Sequence, residues 1–301
     1  MWNVPDFNEK MIRVKYSIDT GSYHGVAMDY QTASSSMRVT VFASGSSGNC
    51  ALISAGETRL LIDAGISMKR ITAFLLGEGV RWTDIAGILV THEHADHILA
   101  LPMIAKYHAV PIYAPHTVAN RLSGRYPKLE AQLRIIPVGE GFSIGDTIVT
   151  AFHTPHDTDE SVGYRLDCGA YSFALATDMG HVTDEIRSAL RGCGTVLIEA
   201  NHDEDMLVNG PYPLPLKRRI LSERGHLSNV NAARLASELI KHGTSRIILG
   251  HLSQENNLPE LALGTVAAVL TDRDIDLLCA PPLGPLAADV EPVRESEAVP
   301  C

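Results

Sequence analysis

The run Thr91-His92-Glu93-His94-Ala95-Asp96-His97 places three imidazoles and a carboxylate in the pattern H-x-H-x-D-H. Imidazole nitrogen and carboxylate oxygen are ligands for borderline divalent cations such as Zn²⁺. In an extended segment residues i and i+2 point the same way, so His92 and His94 can share one ion. Where the chain then turns into a helix, Asp96 and His97 are redirected towards a second ion. Two ions roughly 3.5–4 Å apart form the two-metal arrangement used to displace phosphate esters. The plainer alternative is a surface cluster of histidines at a helix start. It is disfavoured because the run follows an almost wholly apolar strand, Ile85 to Val90, and strand ends are where α/β scaffolds place ligands.

Such a site needs further ligands from downstream. Candidates are His153, His156, Asp178, His181, His202, His226 and His251. Asp178 follows the strand-like Phe173-Ala174-Leu175-Ala176, where a carboxylate can bridge two ions. His251 follows Ile247-Ile248-Leu249-Gly250, and His153 with His156 follows the strand ending at Phe152. Each alone is more often a turn or capping residue; together, at strand ends, they point to a metal centre.

The elements that must position them alternate. Strands are expected at 39–42, 50–53, 59–63, 85–90, 111–113, 134–138, 147–152, 162–167, 171–176, 195–199 and 246–249. Helices are expected at 67–76, from the His-rich run to about Tyr107, and at 182–190, 215–223 and 229–242. Residues 1–36 are polar and irregular and read as an N-terminal extension, with Met37 a possible second start. The folded domain is expected over 37–284, and the Pro- and acid-rich 285–301 as a loose tail.

Of the 301 residues 45% are hydrophobic, enough for a sizeable core. The formal net charge of −10 gives no general attraction to nucleic acid or anionic membrane, so any nucleic-acid site has to be local. Cys50, Cys168, Cys193, Cys279 and Cys301 form no C-x-x-C pair, which fits a reducing compartment. No apolar run reaches the roughly 18–20 residues that span a bilayer, and the N-terminus lacks an apolar core of the secretory type. A soluble, cytoplasmic protein with no membrane partner is expected; oligomeric state is not readable.

The H-x-H-x-D-H run followed by His156, Asp178 and His251 resembles the metallo-β-lactamase superfamily. Ser44-Gly45-Ser46-Ser47-Gly48-Asn49, Gly225-His226-Leu227-Ser228-Asn229 and Gly250-His251-Leu252-Ser253-Gln254-Glu255-Asn256-Asn257 resemble its YycJ/WalJ-like branch. The resemblance covers about residues 37–275. It implies an α+β fold, the αββα four-layer sandwich, with metals at one rim. It implies two divalent cations per chain, Zn²⁺ or Mn²⁺, with Fe also compatible. His92, His94 and His156 would hold the first; Asp96, His97 and His251 the second; Asp178 would bridge. His156 is preferred to His153 because it matches the family's His-Asp pair, here His156-Asp157. Asp63, after Leu60-Leu61-Ile62, would orient a ligand, or simply form a turn. His226 would face substrate as a proton donor, or sit near a helix cap.

Three weaker readings concern substrate. Ser46, Ser47 and Asn49 lie in a Gly-rich turn that can line the metal cleft and cradle phosphate; such a turn is more often just a hairpin. Lys217-Arg218-Arg219, with Arg224, can clamp a polyanion, although a charge run on a helix is usually a solvated face. Between Asp178 and His251 there is no room for the roughly 150–200-residue extra domain of β-CASP nucleases, which disfavours RNA processing of that type.

The chemistry implied is hydrolysis by a metal-bridging hydroxide, with Asp96 both ligand and partner of the nucleophile's proton. Four functions compete. The YycJ/WalJ-like resemblance implies a phosphodiesterase acting on DNA as a 5′→3′ exonuclease. A hydrolase of cyclic or small phosphodiesters is second. A lactonase, thioesterase or β-lactamase is third. A diiron redox or metal-binding protein is the least supported, since no electron-partner domain is visible and His92, His94, His97, His156 and His251 are all histidine, where such members tend to replace ligand histidines with carboxylates.

Overall fold

The structure, a computed structural model, describes residues 36–270 and 274–292. Its strands run β1 (Met37–Ala43), β2 (Cys50–Ala55), β3 (Thr58–Ile62), β4 (Gly87–Leu89), β5 (Ile112–Ala114), β6 (Leu133–Ile135), β7 (Gly141–Ile144), β8 (Thr147–His153), β9 (Val162–Cys168), β10 (Tyr171–Ala176), β11 (Thr195–Glu199), β12 (Arg246–Gly250), β13 (Asp276–Cys279) and β14 (Leu286–Asp289). The helices are α1 (Met68–Gly77), α2 (Ala95–Ile98), α3 (Leu101–Tyr107), α4 (His116–Arg125), α5 (Asp184–Leu190), α6 (Glu204–Asn209), α7 (Leu214–Ile220), α8 (Asn229–Ile240) and α9 (Pro259–Ala267).

The strands form two sheets, ordered β14-β1-β2-β3-β4-β5-β6 and β13-β12-β11-β10-β9-β8-β7. Side-chain alternation explains why they layer. In β11, Leu197 enters the core between the sheets, whereas Val196 and Ile198 face the helices on the outer side. In β3, Leu60 and Ile62 face inwards and Leu61 outwards. Strands buried on both faces read as continuous apolar runs. Ile71, Leu75, Ile104 and Leu122 from α1, α3 and α4 cover the first sheet. Ile186, Leu190, Leu235, Leu239, Leu263 and Val266 from α5, α8 and α9 cover the second. The result is the helix–sheet–sheet–helix sandwich expected from the resemblance.

Parallel pairing aims the strand ends. β3-β4-β5-β6 are parallel in one sheet and β10-β11-β12-β13 in the other. Asp63, Thr91 and His92 follow β3 and β4; Asp178, Glu199 and His251 stand at the carboxyl ends of β10, β11 and β12. Across the core, the Tyr164 hydroxyl donates to the Val90 carbonyl at 2.6 Å, and Val162 N–H donates to Thr91 O at 3.1 Å, tying the His-rich loop to the opposite sheet.

Two expectations need correction. The tail was expected to be loose from 285, but β14 pairs antiparallel with β1, Arg38 opposite Asp289 and Val41 opposite Leu286. Leu286, Ala288 and Val290 are buried in strand alternation, short and Pro-flanked enough to escape a periodicity reading. The helices α4, α6 and α9 and the strands β7 and β13 were also not anticipated. The proposed extension, save Ser36, and the rest of the tail, 293–301, lie outside the described residues. The described cysteines Cys50, Cys168, Cys193 and Cys279 are free thiols. Among the described residues no helix is long and apolar enough to cross a membrane.

Gly65 is where three segments of the site meet. Its N–H donates to Asn49 O, Asn49 N–H donates to Asp96 O, and Ala64 N–H donates to His97 O, each at 2.8 Å. A Cβ on Gly65 would overlap the Asp96 carbonyl and stand 2.7 Å from Asn49 N. Gly65→Ala is therefore expected to cost about 1–3 kcal/mol in chemical denaturation and to reduce bound metal by displacing the Asp96–His97 turn. Wild-type stability with wild-type metal content would refute this reading of the packing.

Candidate metal centre and active site

The left-handed backbone region is uncommon for residues with a Cβ. Among the described residues only Asp63 (φ 60°), Asp178 (φ 56°) and His251 (φ 55°) adopt it without being glycine. All three terminate strands at the same rim. Such conformations store strain and cluster at functional sites; here they turn each side chain sideways off its strand into the gap between the sheets.

The side chains converge as follows. His92, His94 and His156 bring ligand nitrogens together, with His92 Nε2 3.0 Å from His94 Nδ1. Asp96, His97 and His251 form a second group, with His97 Nε2 3.5 Å from Asp96 Oδ2. Asp178 stands between them. Its Oδ2 is 3.3 Å from His97 Nε2, and its Oδ1 is 3.5 Å from His251 Nε2 and 3.6 Å from His156 Nε2. Within each of these groups the candidate ligand atoms lie within 4.8 Å of one another. Asp178 Oδ2 and His251 Nε2 are buried without a hydrogen-bond partner. Orphaned buried polar atoms aimed at a common point, with nitrogen and oxygen donors only, fit divalent cations.

Electrostatics agree. Burial pushes the His92 pKa well below its ordinary value, and the neighbouring His97 adds to this, leaving a neutral imidazole suited to metal ligation. Burial also lowers His156. Burial would raise Asp178, but the charges of His251 and His97 outweigh it and hold the carboxylate well below its usual range. His97 and His251 go the other way. Against burial, Asp63 and Asp178 raise His97 well above its ordinary value, and Asp178, Asp96 and Glu199 raise His251 to about 10. The acid groups thus draw positive charge into the rim, which cations supply on displacing those protons.

Asp63 accepts from His97 Nδ1 at 2.7 Å and from Thr91 N–H and Oγ1 at 2.9 Å. That bond leaves His97 Nε2 as the ring nitrogen on the side of Asp96 and Asp178. His226 lies at the mouth. The helix cap is Ser228, whose hydroxyl accepts from Asn231 N–H, so His226 has no capping role.

Glu199 is the residue the sequence reading passed over. It is fully buried at the end of β11, opposite Gly250. Its Oε1 accepts from His226 Nδ1 at 2.7 Å and from His251 Nδ1 at 3.0 Å, and its Oε2 accepts from Met179 N–H at 2.9 Å. Burial would raise its pKa, but His226 and His251 bring it down to about 2. The signal was available: a single acid ends the apolar strand Thr195–Glu199, as Asp178 follows β10.

A cavity of about 260 Å³ opens over the centre. Its lining includes Ser46, Asn201, Tyr212, Leu216, Arg219, Ile220 and Ser253. Only part of the expected substrate contacts reach it. Ser46 does; Ser47 is exposed and accepts from Gln254 Nε2 instead. Asn49 is buried, its Oδ1 accepting from Gly45 N–H and its Nδ2 donating to Gly45 O and standing 3.0 Å from His97 Nε2. Arg219 lines the cavity, paired with Asp157 at 2.5 Å, whereas Arg218 is exposed outside it. Lys217 caps the end of α6 through Val208 O and Gly210 O, and Arg224 binds His156 O and Thr158 O. The basic run is thus mostly structural. His153 pairs with Glu185 away from the centre, His181 with Glu223 O, and His202 is buried behind the rim.

Residues 58–252 match the beta-lactamase superfamily domain. The chain is 38% identical over 240 residues to Exodeoxyribonuclease YycJ of Bacillus anthracis, covering 79% of this chain and 90% of that one. It is 37% identical over 241 residues to Exodeoxyribonuclease WalJ of Streptococcus pneumoniae D39, with the same coverage. The crystal structure of the metallo-beta-lactamase fold protein YhfI from Bacillus subtilis superposes with a TM-score of 0.67 at 18% identity, covering 85% of this chain and 99% of that one, a likeness of fold. The two sheets, the rim they share and these matches together establish that the chain is a metal-dependent hydrolase of the metallo-β-lactamase superfamily, akin to its YycJ/WalJ-like branch.

Proposed function

We propose that the protein is a phosphodiesterase that removes nucleotides from DNA, working with two divalent cations. The observation that carries this reading is the pairing of buried Glu199 with half-buried His226 beside the metal groups. It sets a proton donor at the mouth of a site whose relatives of 37–38% identity are named exodeoxyribonucleases. His92, His94 and His156 would hold one cation, Asp96, His97 and His251 the other, and Asp178 both; Zn²⁺ and Mn²⁺ suit this donor set, and Fe is compatible. When bound, such ions supply Lewis acidity, making water more acidic and offsetting charge on a phosphoryl group.

The chain's own groups do the rest. Asp96, half-buried on the cavity beside Asp178, takes a hydrogen bond from the attacking water and orients it. His226 has Nδ1 bound to Glu199, so Nε2 is the ring nitrogen free to serve substrate. Burial would lower its pKa, but Glu199 outweighs this and raises it, keeping a proton available for the leaving oxygen near neutral pH. Arg219 offers a guanidinium to a phosphate at the rim. With a net charge of −10 and only this cation of the basic run at the cavity, affinity for DNA rests on the centre itself. The modest cavity also keeps small phosphodiesters, lactones and thioesters as the second reading. A cytoplasmic location fits the reading.

Three tests follow from this site. The Mn²⁺- and Zn²⁺-loaded protein is expected to release nucleotides stepwise from the 5′ end of DNA, with His92→Ala inactive. Turnover of only bis-p-nitrophenyl phosphate or a lactone would move the function to small molecules. Asp178→Ala is expected to abolish hydrolysis of every substrate and to bring metal below two ions per chain by elemental analysis; two retained ions with full activity would remove its bridging role. His226→Ala should lower kcat by about 10²–10⁴ with metal content retained, and Glu199→Gln by about 10–100-fold, because an amide brings N–H donors against Met179 N–H and the two histidines. An unchanged kcat in either variant would take proton donation away from this pair.

A further inference from the structure

The first metal group is assembled from loops that belong to different sheets. His92 and His94 follow β4 of one sheet, whereas His156 follows β8 of the other. Within the extended run His92 and His94 face the same way, so Glu93 between them is directed elsewhere. It meets the loop that carries His156. Glu93 Oε1 accepts from Thr158 Oγ1 at 2.7 Å and pairs with the Arg121 guanidinium of α4 at 2.9 Å.

The loop 154–161 needs such a hold. Its base is closed: Thr154 N–H donates to Ser161 O at 2.9 Å, and the Thr154 and Ser161 hydroxyls stand 2.8 Å apart. The tip, where His156 stands, is fixed by contacts of its own. Arg224 binds His156 O and Thr158 O from one side. Helix α4 grips the loop from the other, where Arg121 pairs with Asp159 and Thr117 N–H donates to Glu160 Oε2 at 2.8 Å. Of these holds, Glu93's is the one supplied by the histidine run. The Glu93 side chain is only 13% exposed, and its Oε2 is buried with no hydrogen-bond partner among the described residues. A buried, half-satisfied ion pair adds little to stability. What this one fixes is the spacing of His92 and His94 from His156.

We propose that Glu93 is a positioning residue for the first cation. By clasping Thr158 it sets the distance between His92 and His94 on one loop and His156 on the other, and with it the affinity of that ion alone. The second group is held by different partners. Asp63 accepts from His97, Glu199 accepts from His251 Nδ1, and Ser44 Oγ accepts from His251 N–H. None of these bonds passes through Glu93 or Thr158. The proposal rests on the two-cation reading above and adds to it that the two ions are supported independently.

The test is the Mn²⁺ bound per full-length chain after equilibrium dialysis over a range of free Mn²⁺, read by elemental analysis. His92→Ala and His251→Ala identify which binding step belongs to which group. Glu93→Ala is expected to weaken the first group's step by about 10–100-fold and to leave the second group's step as in wild type. Glu93→Gln keeps an acceptor for the Thr158 hydroxyl and is expected to fall between the two. Thr158→Val is expected to match Glu93→Ala, and Thr158→Ser to restore the step. Combining Glu93→Ala with Thr158→Val is expected to cost little more than either alone, because both open the same clasp. The second step is read in the same sample, so a loss of folded protein, which lowers both, does not imitate the result. Equal weakening of both steps, or of neither, would overturn the positioning role while leaving the two-cation reading in place. A wild type that binds fewer than two ions would remove both.

Discussion

Carboxylates buried among imidazoles are the constraint around which this structure is organised. Asp63, Asp178 and Glu199 lie almost wholly out of water. A buried carboxylate costs several kcal/mol unless charge and hydrogen bonds compensate it. Each is therefore placed against histidines: Asp63 against His97, Asp178 against His97, His156 and His251, and Glu199 against His226 and His251. His97 and His251 are each held by an acid through Nδ1, so both present Nε2 to the centre. Ring orientation, which decides whether a histidine can be a ligand, thus comes from residues that need not touch a metal themselves.

Two sheets packed face to face make the arrangement possible. Parallel strands end together, and two such sets end at one rim, so acids and imidazoles distant in the chain arrive within a few ångströms. The left-handed turns at Asp63, Asp178 and His251 are the local cost of directing those side chains inwards. Cross-sheet ties hold the strained ends in place. Ser44 Oγ accepts from His251 N–H at 2.8 Å, and Tyr164 anchors the strand leading to the His-rich loop.

The cleft is lined by segments of different character. The loops after β1, β11 and β12 carry small hydroxyl and amide residues, Ser46, Asn201 and Ser253. The α6–α7 segment carries the aromatic and aliphatic wall and the rim cation. Much of the positive charge that the sequence concentrates near 217–224 is absorbed in holding this segment together, as Lys217 and Arg224 show. An acidic protein can still approach a polyanion if bound cations, rather than its surface, provide the positive potential.

Candidate ligands were legible in the chain because they are local or punctuated, while their grouping came from the family resemblance. H-x-H-x-D-H is a contiguous pattern, and Asp178 and His251 stand where apolar strands stop. Sheets covered by helices were legible from the alternation of strands and helices, but the face-to-face pairing of two sheets came only from the family resemblance. Glu199 carries the same strand-end signal as Asp178 and was passed over; its role lies in its partners, and only folding sets it beside two histidines, His226 and His251, 27 and 52 residues away. Asn49 and Arg224 appeared free to bind substrate, but Arg224 is spent on backbone and Asn49 on Gly45 and the His97 ring, since hydrogen-bond partners are chosen by tertiary contact. The sequence by itself determined which groups can ligate and which strands are buried, because those properties reside in residue type and period. Only the tertiary structure decided which side chains share the rim, because that depends on where two sheets bring their ends together.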